Sequence, residues 1–131
     1  MLLTTGNNVP AGLLAGVPPN VTVREFVPQA DVLAHAQLMV CHGGSGTVLC
    51  GLAAGVPMVI VPLFADQPDN ARCLAAAGLC LRLDDVETSS LRAAISRALA
   101  DQEMRNRAYA AALGFAQMPT LEQALDRLVS G

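Results

Sequence analysis

The 131 residues carry 8 basic against 11 acidic side chains, a formal net charge of −3, and only 3% aromatics, which removes both the electrostatic and the stacking basis for a polynucleotide partner. All 8 basic residues are arginines, so Schiff-base lysine chemistry and a P-loop lysine are excluded. The length suits one domain with a real core.

In chain order, residues 2–5 read as a strand closed by Gly6, Asn7 and Asn8. Residues 9–19 read as loop or a single helical turn. Residues 21–27 are β-rich and Pro28 ends them. A short helix over 29–36 turns Val32 and Leu33 inward, and Leu38, Met39 and Val40 form an apolar strand. A polar, glycine-dense loop follows, Cys41-His42-Gly43-Gly44-Ser45-Gly46-Thr47. Residues 48–54 make an apolar helix, with Gly55 and Pro57 as its stop signal. The unbroken apolar run 58–61 is the mark of a strand covered on both faces in a parallel sheet. A polar shoulder over 64–70 leads into a helix over 71–77 closed by Gly78, and 79–83 is the last strand.

Three helices complete the chain. Leu91, Ala94, Ile95, Ala98 and Leu99 recur at helical spacing behind the caps Ser89 and Ser90. Met104, Ala108, Ala111 and Ala112 define a second helix closed by Gly114. Thr120 with Gln123 forms a capping box for a third, whose apolar face is Leu121, Ala124, Leu125, Leu128 and Val129. Strands alternating with helices predict an α/β fold, a Rossmann-like three-layer domain with a parallel sheet. The apolar stretch 56–64 is too short and proline-broken to span a membrane. Cys41, Cys50, Cys73 and Cys80 lie in apolar runs without a C-x-x-C pair, which fits reduced thiols in a cytoplasmic protein better than a metal site.

The glycine loop is the candidate site. A strand, a glycine turn and a helix in that order aim the free N–H groups of the first helical turn, and the positive end of the helix dipole, at a phosphate. Gly43, Gly44 and Gly46 admit close backbone approach, Ser45 and Thr47 add hydroxyl donors, and His42 enters at the strand's carboxyl edge, where α/β folds bind ligands. Asp66 and Gln67, at the carboxyl end of the next strand, fall beside the turn, where a carboxylate and an amide could bind sugar hydroxyls. His35 lacks such company and reads as structural or solvated.

Rival readings of the turn fail on other residues. A P-loop needs a lysine. In the dinucleotide fingerprint G-x-G-x-x-G, Leu49 stands at the third glycine. The H-G-G segment of esterases needs a G-x-S-x-G nucleophile elbow, and the chain has none.

Phe26-Val27-Pro28-Gln29, Val32-Leu33, His42 to Thr47, Gly55-Val56-Pro57-Met58, Pro62 and Asp66-Gln67 with Asn70-Ala71 together resemble the C-terminal, donor-binding domain of nucleotide-sugar glycosyltransferases of the two-domain GT-B fold. The likeness is strongest to bacterial enzymes that attach deoxysugars to antibiotics. The resemblance implies that Phe26, Val27 and Gln29 hold the nucleobase, that His42, Gly43, Gly44, Ser45, Gly46 and Thr47 hold the diphosphate, and that Asp66 and Gln67 read the sugar. It implies metal-independent displacement with inversion, from a dTDP- or UDP-sugar to a hydroxyl of a small-molecule acceptor. Many UDP-sugar enzymes of this kind carry a tryptophan at position 26 and a glutamate at position 50, so Phe26 and Cys50 tilt the expectation toward dTDP-sugars. The acceptor domain with its base histidine, and the first strand and helix of the donor domain, are expected to lie outside this chain. An open sheet edge would then suit a homodimer, and a non-catalytic nucleotide-binding or interaction module of the same fold is the alternative.

Overall fold

The computed structural model describes residues 1–130, with the side chains of Ala11 and Leu121 outside the description. The chain divides into two compact units, residues 1–32 and the remainder from Leu33.

In the first unit, β1 (Leu2–Thr4) and β2 (Thr22–Arg24) pair in parallel, Leu2 opposite Thr22 and Thr4 opposite Arg24. The Thr22 N–H donates to Met1 O at 2.8 Å, and the Thr5 N–H donates to Arg24 O at 3.0 Å. The second strand is shorter than its β-rich sequence predicts. Its partner turns away at Gly6, where φ is +70°, so residues 25–27 have no neighbouring strand in that sheet. Helix α1 (Gln29–Leu33) follows and leaves His35 exposed in the turn beyond it.

In the second unit, β3 (Met39–Cys41), β4 (Met58–Ile60) and β5 (Cys80–Arg82) form a parallel sheet in the order β3-β4-β5. The register places Cys41, Ile60 and Arg82 in one row. The central strand is wholly buried, as its unbroken apolar run predicts. Met58 and Ile60 join Leu33, Met39, Val48, Ala71 and Leu74 in one cluster, whereas Val59 packs with Ala94, Ala98 and Met104 in another. Helices α2 (Ser45–Ala54) and α3 (Gln67–Ala76) therefore cover one face of the sheet, and α4 (Thr88–Ala100) with the start of α5 (Gln102–Ala116) the other. Burial of each of the three β4 side chains is worth about 1.5–3 kcal/mol. This alternation fixes the sheet between two helical layers.

Helix ends follow local chemistry. Gly55 (φ +69°) lets the Val56 N–H reach Gly51 O at 3.0 Å, and Gly78 (φ +70°) lets the Leu79 N–H reach Leu74 O at 2.9 Å. Both are six-to-one closures that consume carbonyls left open at a helix end. At the other end of α5, the Asp101 carboxylate accepts the Met104 N–H at 2.9 Å. On α6 (Leu121–Val129) the expected capping box is present: Gln123 N–H to Thr120 Oγ1 at 3.2 Å and Thr120 N–H to Gln123 Oε1 at 3.0 Å.

Four expected boundaries move. Helix α2 begins at Ser45 rather than 48, because the Val48 N–H bonds to the Gly44 carbonyl at 2.9 Å and closes a turn within the glycine loop. Helix α3 begins at Gln67, with Pro68 in its first turn, where a missing N–H costs nothing. Glu87 stands at the N-cap of α4, so Ser89 and Ser90 lie inside the first turn. Helix α5 passes through Gly114 to Ala116, since nothing there requires a left-handed residue. On α6, Leu125, Leu128 and Val129 are exposed, and Leu121, expected on the same face, falls outside the described side chains. Among the described residues no helix is long and apolar enough to cross a membrane, and no cluster of three or more His, Cys, Asp or Glu is placed to hold a metal ion.

Candidate functional site

The glycine loop leaves β3 at its carboxyl end. Gly43 makes the turn at φ +88°, and a side chain there would place Cβ 2.7 Å from Ile60 Cγ2 and 3.6 Å from the Gln67 carbonyl. The loop thus passes directly over the end of the buried central strand. Gly44 is the N-cap of α2 and has no side chain to cap it. Since the Val48 N–H is the first to be bonded within the helix, the amides of Ser45, Gly46 and Thr47 point out of its positive end. Exposed His42 folds over this turn, its Nε2 only 2.7 Å from where a Cβ on Gly44 would stand. Around Gly46 a Cβ would meet no atom within 4 Å.

The loop after β4 supplies the opposing groups. Ala65 takes φ +57°, a left-handed conformation that costs a side-chain-bearing residue about 1–2 kcal/mol. It is held by Gln67, whose buried side chain accepts the Leu63 and Phe64 N–H groups through Oε1 at 2.9 and 3.1 Å. Asp66, exposed at the N-cap of α3, accepts the Ser45 hydroxyl at 2.5 Å. Asn70, one helical turn on, donates from Nδ2 to Asp66 Oδ2 at 3.0 Å, to the Gly43 carbonyl at 3.0 Å and to Ser45 Oγ at 3.3 Å. The Ser45 hydroxyl first, then the Asn70 amide, hold the Asp66 carboxyl below its ordinary pKa, and the Ser45 backbone N–H adds to the effect. Asp66 is therefore anionic at neutral pH and lies against the first residue of α2.

Of the residues singled out in the sequence, the structure brings His42 through Thr47 together with Asp66. Gln67 is adjacent, but its Oε1 is committed to its own loop. The sequence attaches no role to Asn70, although its spacing of four from Asp66 on one helix was a usable signal. Phe26, exposed, and Val27, half-buried, lie between β2 and α1 in the first unit, with Gln29 opening α1. Cys50, on α2, packs against the core cluster.

A parallel sheet between helical layers, with an amide-lined turn at the carboxyl end of one strand and a carboxylate from the loop after the next, defines a Rossmann-like domain. Residues 3–130 match the family described as the C-terminal domain of erythromycin biosynthesis protein CIII-like proteins, and the chain belongs to that family. It is 39% identical over 107 residues to demethyllactenocin mycarosyltransferase of Streptomyces fradiae, covering 80% of this chain and 23% of that protein. The calicheamicin glycosyltransferase CalG4 superposes with a TM-score of 0.90 at 32% identity, over 98% of this chain and 34% of that one. The SsfS6 glycosyltransferase of Streptomyces sp. SF2575, complexed with thymidine diphosphate, gives 0.76 at 31% identity, over 87% and 31%. The chain thus spans about a quarter to a third of the length of these relatives. The fold is that of the GT-B glycosyltransferases.

Proposed function

We propose that this chain is the donor-binding part of a natural-product glycosyltransferase that moves a sugar from a dTDP- or UDP-sugar to an acceptor hydroxyl, with inversion. The observation that carries the reading is the start of α2 within the glycine loop. It leaves the N–H groups of the first helical turn outside the helical ladder at the positive end of the helix dipole, beside His42 and with Asp66 against Ser45. In this reading His42, the amides of Ser45 and Gly46 and the Thr47 hydroxyl hold the diphosphate, with Gly43 and Gly44 shaping the turn around it. Asp66 reads the sugar, and the Gln67 side chain supports the loop that presents it. On the same resemblance, nucleobase contacts are assigned to Phe26, Val27 and Gln29 in the first unit.

Displacement at the anomeric carbon expels a diphosphate whose negative charge grows as the bond breaks. Donors already aligned with that charge stabilise the transition state without having to reorganise. In this reading neither the acceptor nor the base that activates it is assigned to a residue of this chain. Cys50 supports dTDP over UDP, because its side chain packs toward the core and offers no carboxylate to a ribose hydroxyl. The thymidine diphosphate bound to SsfS6 is consistent with that choice.

Calorimetric titration of the folded chain with dTDP, UDP and NAD in parallel tests the reading. Preferential dTDP binding is expected. His42→Ala should weaken it by about 1.5–3 kcal/mol, roughly ten- to a hundredfold, if the imidazole bonds to a charged phosphate oxygen. NAD binding alone, or unchanged dTDP affinity in the variant, would refute the assignment.

A further inference from the structure

The carboxylate of Asp66 already engages Ser45, at the edge of the turn to which the proposed function gives the diphosphate. Its Oδ2 takes the single proton of the Ser45 hydroxyl at 2.5 Å, and Asn70 holds the same oxygen at 3.0 Å. Ser45 is the first residue of α2, so the residue that opens the helix end a phosphate would use is engaged by an internal anion. A ligand phosphate drawing on Ser45 must displace Asp66, and it must then tolerate a carboxylate beside it.

We infer that Asp66 discriminates between the intact donor and the spent nucleoside diphosphate, favouring release of the latter. The inference rests on the donor-binding reading above. The chemistry of the two ligands differs in two ways at this position. In a nucleotide-sugar the terminal phosphate is esterified and carries one negative charge, and the attached sugar offers hydroxyls to Asp66. Those hydroxyls satisfy the carboxylate when it leaves Ser45. In the nucleoside diphosphate the terminal phosphate is no longer esterified and carries a second charge above its second pKa, and no sugar hydroxyl remains to hold Asp66. The carboxylate then returns to Ser45, and its charge opposes that of the phosphate. One added unit of like-charge repulsion at about 4 Å in a water-exposed setting corresponds to roughly a fivefold change in affinity.

The test is calorimetric titration of the wild-type chain and of Asp66→Asn with dTDP and with dTDP-glucose at pH 8, where the terminal phosphate of dTDP is fully ionised. Asparagine keeps the shape and one acceptor oxygen of the side chain, exchanges the other oxygen for an NH2 donor and loses the charge, and Asp66 is exposed; a melting curve checks that the variant folds. The expected result is dTDP binding roughly fivefold tighter to Asp66→Asn, with dTDP-glucose binding unchanged or weaker, so that preference for the donor falls. If both proteins bind both ligands with the same ratio, or if the variant binds dTDP more weakly, the discrimination is refuted while the donor-binding reading stands. Failure of the wild-type chain to bind any nucleotide overturns the donor-binding reading and this inference with it.

Discussion

Replacing Gly43 by alanine should damage the second unit from its most buried strand outward. The position has φ +88°, and the new Cβ would lie 2.7 Å from Ile60 Cγ2. Ile60 has no exposed surface, so it cannot swing aside without disturbing Met58 and Val48 in the same cluster. The left-handed conformation costs about 1–2 kcal/mol, and overpacking a well-filled core adds about 1–3 kcal/mol. The total of about 2–5 kcal/mol is a large share of an ordinary domain's stability. At an unfolding entropy typical of a chain this size it lowers Tm by about 7–18 °C. Gly46→Ala is the internal control. That glycine is helical, a Cβ there meets nothing within 4 Å, and alanine in a helix is favoured over glycine by about 0.5–1 kcal/mol. Gly46→Ala should therefore melt about 2–4 °C higher, yet bind dTDP more weakly if the ligand needs close approach to that backbone. Thermal melts and urea titrations of both variants decide the matter. A Gly43→Ala protein melting within about 2 °C of wild type, or a destabilised Gly46→Ala, would refute the packing argument.

Two further outcomes concern protonation. The Asp66 carboxyl has a lowered pKa in the fold, so its bonds to Ser45 and Asn70 contribute stability that is present above the unfolded value of 3.8 and is lost as pH falls through the folded one. Urea midpoints measured at successive pH values below 4 should fall in wild type, and Asp66→Asn should lack that component. Burial and, to a smaller extent, Cys41 push the Cys80 thiol up to about 12, against a downward pull from the Arg82 cation. The unfolded chain therefore gains thiolate from pH 9.0 upward while the fold retains the proton, and stability declines over pH 9.0 to about 12. A thiol reagent at pH 8 should modify exposed Cys73 quickly and buried Cys80 only after unfolding; equal rates would contradict the burial.

The parts of the fold legible in the sequence are those set by local or strictly periodic chemistry. The apolar run at Met58, Val59 and Ile60 could only be a strand buried on both faces, and the Thr120 capping box is complete within four residues. The glycine stop at Gly55 is of the same kind. What the sequence hid depends on tertiary context. Ser45, Gly46 and Thr47 are poor helix formers, so their place in the first turn of α2 comes from the Gly44 carbonyl and the loop rather than from propensity. Gln67 carries the same polar amide whether it faces a sugar or its own loop, and only the fold shows its Oε1 engaged by Leu63 and Phe64. The bonds of Asn70 to Gly43 and Ser45 cross 27 and 25 residues of sequence, beyond the reach of any spacing rule.

Gly51, in the middle of α2, has a consequence for the far end of that helix. A Cβ there would stand 2.7 Å from Met39 Cε and 3.0 Å from Met58 Sδ, so the helix rests on two thioether side chains at its lowest point. Ser45 lies six residues away, about 9 Å along the axis, and the helix acts as a stiff beam with its fulcrum at Gly51. A methyl added under the beam would have to displace those two flexible thioether ends or lift the helix with the amides at its tip. The seating of the glycine loop thus depends on a residue about two helical turns away from it.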